Sequence, residues 1–246
     1  MELVKERTKP LFTGVPTSGL ITFIGDSKVG KSSLLASFPN GIIASMEKKR
    51  TDRIPYGRIQ NIDNLDEFGE FMELVMADDS IRMVGIDTID SLQGWLKDDI
   101  GITRPTPGVD SRAQWADYTD RIKSMVNFWK ESDKLFVVAG HRRAAVQDSE
   151  GRVTKAAGLN VSGQGGDYII QQSEAVGFIG TRVVGGVTQN YLSFKATSDG
   201  GVWRSGIEEI RDKEVVLSRA NPYSSFASMF GKKEPAVAVQ LKEKKK

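Results

Sequence analysis

The sequence predicts an α/β fold with a mostly parallel central sheet flanked by helices. Three observations carry this. Short β-rich apolar runs alternate with stretches of helical period along most of the chain. A glycine-bounded turn, 25–30, separates the first such run from the first helical stretch. Gly25, Glu47, Asp87 and His141 each follow directly on an expected strand, and open parallel sheets hold ligands at those strand ends.

Residues 1–19 are polar, carry Pro10, Gly14, Pro16 and Gly19, and read as an arm leading into the fold. Leu20-Ile21-Thr22-Phe23-Ile24 reads as a buried strand and residues 31–38 as a helix, stopped by Pro39-Asn40-Gly41. A second strand spans 41–46, an amphipathic helix 65–76, and a third strand 81–86. A helix starts near Ser91, and the prolines and glycines of 99–111 make that segment a loop. The longest helix runs over 112–131, where Trp115, Tyr118, Ile122, Met125, Val126 and Trp129 recur at helical spacing. A fourth strand spans 135–139. Residues 144–156 read as a hairpin centred on Ser149-Glu150-Gly151, 158–166 as a mobile segment, and 175–180 and 191–196 as further strands joined by a turn over 185–190. A short helix over 222–230 precedes a tail expected to be disordered. The chain thus divides into an arm (1–19), one core (20–222) and a C-terminal segment with a basic tail (223–246).

A chain of 246 residues suits one full α/β domain with insertions. The absence of cysteine excludes disulfides, thiolate catalysis and cysteine-ligated metal. Without an apolar run long enough to span a bilayer, or the apolar centre of a secretion signal in Met1–Arg7, a cytoplasmic protein is expected, with no membrane partner. The net charge of +2 conceals an uneven distribution, because six lysines and two glutamates after Gly231 make the tail +4 and leave the body at −2. Such a body binds nucleic acid only through local loops or an assembly.

The sequence Gly25-Asp26-Ser27-Lys28-Val29-Gly30-Lys31-Ser32, followed by Ser33, matches G-x-x-x-x-G-K-[ST] with a strand before it and a helix after it. The glycines let backbone N–H groups face phosphate oxygens, and the helix dipole adds favourable potential. Lys31 reaches the β- and γ-phosphates and the Ser32 hydroxyl binds Mg2+. Asp87, at the end of an apolar strand, suits the second magnesium ligand; capping of the next helix, open also to Thr88 and Asp90, is the alternative. Glu47 stands where a carboxylate faces the γ-phosphate and orients or deprotonates the attacking water, or else pairs with Lys48, Lys49 or Arg50. The single histidine, His141, is placed to sense the γ-phosphate and pass its state to the following loop, or is a packed or surface residue.

Gly-Asp-Ser-x-Val-Gly-Lys-Ser-Ser-Leu-Leu resembles the phosphate loop of small Ras-like GTPases, but Asp87-Thr88-Ile89-Asp90 is not their D-x-x-G and no N-K-x-D follows. The ordered set Gly25–Ser32, Glu47, Asp87 and His141 resembles the RecA-like P-loop ATPases, and within them the phage-encoded Sak-type single-strand annealing ATPases, over residues 15–200. The resemblance implies a RecA-like P-loop NTPase fold and ATP with Mg2+ as ligands. The catalytic residues it implies are Glu47, Lys31 and His141. It implies single-stranded DNA as partner, and a homo-oligomer, ring or short filament; a single-strand DNA-binding protein is a further partner it allows. Arg142, Arg143, Arg152 and Lys155 after His141, with Arg104 and Arg112 flanking 99–111, would then meet DNA phosphates; the alternative is a pair of solvated loops. Lys195 or Arg182 would complete a neighbour's ATP site, or simply face solvent. The competing function is a nucleotide-switched assembly or loading factor acting on a protein in replication.

Overall fold

The computed structural model describes residues 14–47, 51–105, 108, 110–197 and 201–231. Most of the N-terminal arm and the lysine-rich tail therefore lie outside the described residues. The elements begin with β1 (Gly19–Gly25), α1 (Lys31–Ala36), β2 (Gly41–Ser45) and β3 (Arg58–Asn61). Next come α2 (Leu65–Ala77), β4 (Met83–Asp87), α3 (Ile89–Asp99), α4 (Ser111–Glu131) and β5 (Leu135–Arg143). A small hairpin of β6 (Val146–Gln147) and β7 (Val153–Lys155) leads to β8 (Gly158–Leu159) and α5 (Gly165–Gln172). The chain closes with β9 (Ala175–Val184), β10 (Val187–Ser193), β11 (Arg204–Ser205), β12 (Glu214–Val216) and α6 (Pro222–Ser228).

The main sheet has the order β12-β10-β9-β1-β5-β4-β2-β3. From β9 to β3 all neighbours are parallel; β10 and β12 add antiparallel strands at one edge. This is the α/β architecture of a RecA-like P-loop NTPase, with the strand of the phosphate loop separated from β4 by β5. The central strands are predominantly apolar because both faces are covered. Leu20, Ile24, Val84, Ile86, Phe136 and Val138 face one core, closed by α2, α3, α4 and α5. Ile21, Phe23, Ile43 and Val137 face the other, closed by α1 and α6. Among the described residues no helix is long and apolar enough to cross a membrane.

Several expectations change. Strand β5 runs four residues past Ala139, because Arg142 and Arg143 pair with β8; His141 is thus within a strand rather than after it. The segment 158–166 is built into the core: Leu159 and Val161 are buried, and Asn160 N–H donates to the His141 carbonyl at 2.9 Å. Its glycines and polar residues concealed that alternation. The turn expected over 185–190 contracts to Gly185-Gly186, both at positive φ (57° and 78°), which lets two long strands meet in a tight hairpin. Strand β3 has no apolar signal because it is a polar edge strand.

Candidate functional site

Register alone gathers the strand-end residues. Gly25 pairs with His141 across β1 and β5, Ala139 with Asp87 across β5 and β4, and Asp87 with Ser45 across β4 and β2. The C-terminal edge of the sheet therefore carries the phosphate loop, Asp87, His141 and, two residues beyond Ser45, Glu47. A cleft of about 440 Å³ opens there, its walls including Ser27, Lys31, Ser32, Glu47, Asp87 and His141.

Lys28 (φ 68°) and Gly30 (φ 97°) take left-handed backbone conformations that turn the loop back toward α1. Asp26, Ser27 and Lys28 are exposed, Ser27 and Lys28 along the cleft, whereas Val29 is buried and anchors the loop, so that Val29 offers a ligand only its backbone. Ser33, beside Ser32, also lines the cleft. Gly25 tolerates nothing larger, since a Cβ there would lie 2.2 Å from the Ile179 carbonyl of β9. Lys31, 5% exposed, donates from Nζ to the carbonyls of Gly25 at 2.8 Å and Asp26 at 2.7 Å. Burial lowers the pKa of its amine, and the nearby Asp87, Asp90, Glu47 and Asp26 oppose that shift.

Asp87 is 2% exposed, and its Oδ1 has no hydrogen-bond partner. Burial raises its carboxyl pKa, against the hydrogen bond from Ser32 and with a smaller push from Glu47. A buried carboxylate with one open oxygen, beside the hydroxyl of Ser32, fits magnesium, a hard cation that takes oxygen ligands. Among the described residues no three His, Asp or Glu side chains gather as a metal cage; magnesium held by one carboxylate, a hydroxyl and phosphates needs none.

His141 connects three elements. Its backbone N–H donates to Asp90 Oδ2 at 2.8 Å, its Nδ1 lies 3.4 Å from the same oxygen, and its Nε2 lies 3.2 Å from Ser27 Oγ. Asp90, in the first turn of α3, is thereby a member of the site and not only a helix-start residue. Sequence reasoning missed that role, as it missed Arg53 and Asn190, which also line the cleft. Asp90 had one usable signal, its spacing three residues after Asp87. Arg53 and Asn190 had none, being brought there by the chain after β2 and by the β10 register.

The expected loop cations divide into two sets. Arg142 lies over the Phe178 ring at 5.5 Å, Arg143 faces Asp167 and the carbonyls of Ala156 and Leu159, and Arg152 pairs with Asp148 and Glu150. Arg104, Arg112 and Lys155 are exposed. Arg182 is on the projecting part of the β9–β10 hairpin, paired with Glu214 and over the Tyr191 ring. Lys195 is exposed just after β10, two residues beyond the Ser193–Phe178 pair and so below the ligand edge.

A family model for an AAA domain (AAA_24) matches residues 20–200. No curated protein matches the sequence. Among solved structures, a KaiC-like protein of the hyperthermophilic archaeon Pyrococcus horikoshii OT3 is similar at 11% identity and a TM-score of 0.47, over 83% of this chain and 87% of that one. The flagellar accessory protein FlaH of Methanocaldococcus jannaschii is similar at 14% identity and a TM-score of 0.41, over 83% of this chain and 86% of that one.

Proposed function

This chain belongs to the AAA domain family, and from that premise we propose that it is a magnesium-dependent ATPase that binds single-stranded DNA and promotes annealing or strand exchange in phage recombination, in the manner of the Sak-type ATPases. The observation that carries the hydrolytic part is the convergence of Lys31, Ser32, Glu47, Asp87 and His141 on one cleft. Backbone N–H groups of the loop bind the phosphates, and Lys31 offsets their charge. Ser32 and Asp87 would hold the magnesium ion, which neutralises phosphate charge when bound. Glu47 orients the attacking water and takes its proton. His141 reads the terminal phosphate through Ser27, and its strand continues into Arg142, Arg143 and the β6–β7 hairpin.

For DNA, the internal pairing of Arg142, Arg143 and Arg152 narrows the phosphate contacts to Arg104, Arg112 and Lys155. In an oligomer, Arg182 is better placed than Lys195 to reach a neighbour's nucleotide, because its hairpin extends past the ligand edge. The test is ATP hydrolysis with and without single-stranded DNA, for wild type and for Arg104→Ala/Arg112→Ala/Lys155→Ala. Stimulation that the triple variant loses, with basal hydrolysis kept, supports the reading; hydrolysis indifferent to DNA in the wild type overturns it.

A second reading has its own observation. Val183, Val184 and Val187 are exposed together at the tip of the hairpin, an apolar surface that suits protein better than nucleic acid. On this reading the chain is a nucleotide-switched assembly or loading factor. ATP-dependent capture of a replication protein, without DNA retention at low salt, would favour it.

A further inference from the structure

The phosphate cleft has a direction. Glu47, Asp87 and His141 mark the end where the terminal phosphate reacts, so the nucleoside must leave the loop on the other side, past Gly30 and Ser33. A second cleft of about 300 Å³ opens there, sharing Gly30, Ser33 and Asn190 with the first and lined beyond them by Leu217, Ser218, Arg219 and Pro222. It contains none of the reactive-end residues. We propose that this second cleft, walled by the segment 217–222, holds a purine nucleoside, with Arg219 as its main side-chain contact; the proposal rests on the phosphate-loop reading.

Three features suit the cleft to that ligand. Leu217 and Pro222 supply the apolar part of its lining, against which a flat heterocycle can pack. Arg219 is exposed but not loose, since its Nη2 donates to the Thr188 carbonyl at 3.3 Å. That holds a planar cation at the cleft, and a guanidinium stacks on aromatic faces in a way a lysine amine does not. The larger purine ring system gains more from such a plane than a pyrimidine does.

The wall is also fixed to the phosphate loop. Leu217 N–H donates to the Asn190 carbonyl at 2.8 Å, and Asn190 Nδ2 stands 3.0 Å from where a Cβ on Gly30 would be. On the other side, Tyr223 N–H donates to Ser37 Oγ at 2.8 Å, and the Phe226 ring packs 5.7 Å from both Phe23 and Phe38. A nucleoside entering here meets a preorganised surface and immobilises little chain on binding.

The test compares MgATP, MgCTP and magnesium tripolyphosphate, which has the phosphates without the nucleoside, by calorimetry on the full chain. Wild type should bind ATP more tightly than CTP and tripolyphosphate. Arg219→Ala should weaken ATP by about tenfold and leave tripolyphosphate unchanged, with Arg219→Lys in between. Lys31→Ala should weaken all three. Unchanged ATP affinity in Arg219→Ala overturns the assignment, as does an equal loss for ATP and tripolyphosphate or a wild type indifferent to the nucleoside. Wild type that binds none of the three ligands overturns the phosphate-loop reading itself, a result distinct from the others.

Discussion

Nε2 of His141 lies 3.2 Å from Oγ of Ser27, 114 residues earlier in the chain. Asp90 on the opposite side of the ring takes the His141 backbone N–H and faces Nδ1. In the neutral tautomer that carries its proton on Nδ1, toward Asp90, Nε2 accepts from the Ser27 hydroxyl. A phosphate that engages Ser27 therefore changes what His141 is bonded to, and His141 is itself part of β5.

From this arrangement we expect Asp90→Asn to lower kcat for ATP hydrolysis by about tenfold with KM nearly unchanged, and His141→Ala to lower it at least as far. Because the two act as a unit, the double variant should fall no further than His141→Ala. Steady-state phosphate release on all four proteins measures this. Additive losses would mean that Asp90 works through another group.

Glu47 borders the same cleft but makes no part of the phosphate cradle. Its replacement in Glu47→Gln should reduce single-turnover hydrolysis by about 100-fold or more, in the range of a lost general base, while nucleotide affinity stays within about twofold. An affinity loss as large as the rate loss would identify Glu47 as a binding residue instead.

Asp87 links function to stability. Burial raises its carboxyl pKa above the ordinary 3.8. The unfolded chain thus gives up this proton at lower pH than the folded one, and the folded state loses stability as pH rises from 3.8 through the raised folded value. In chelator, Asp87→Asn should melt above wild type at pH ~7, and the difference should vanish as pH falls below 3.8. A wild type that melts higher at neutral pH would contradict the cost assigned to this buried charge.

The phosphate loop was legible because its chemistry is local: eight consecutive residues carry the turn, the lysine and the hydroxyl. Glu47, Asp87 and His141 were legible as cleft residues because apolar strands end at or near them, and parallel register brings such ends together. Asp90 offered only its spacing from Asp87, and Arg53 and Asn190 offered nothing, since their positions follow from tertiary packing that no local pattern records. Composition misled at 158–166, where glycine and serine suggested mobility but Leu159 and Val161 are core residues. Charge alone did not show that the guanidinium groups of Arg142, Arg143 and Arg152 meet an aromatic ring, carbonyls and carboxylates of their own chain.

Phe226 packs α6 against Phe23 of β1 and Phe38, just after α1. Phe226→Ala should cost about 3–5 kcal/mol of stability, the usual range for a buried phenylalanine, read from urea unfolding. Because α6 begins at Pro222, where the wall of the nucleoside cleft ends, ATP affinity should fall in this variant more than tripolyphosphate affinity. A stability loss under about 1 kcal/mol would show that the site collapses easily and that α6 is loosely attached.

Lys31 and the magnesium-fitting pair Ser32–Asp87 are expected to work as one hydrolytic nucleotide site. The most direct test is phosphate release from ATP by wild type and by Lys31→Ala, with magnesium and with chelator. Release should require magnesium and be lost in Lys31→Ala. Equal release by the two proteins, or release by wild type that chelator leaves untouched, would contradict it.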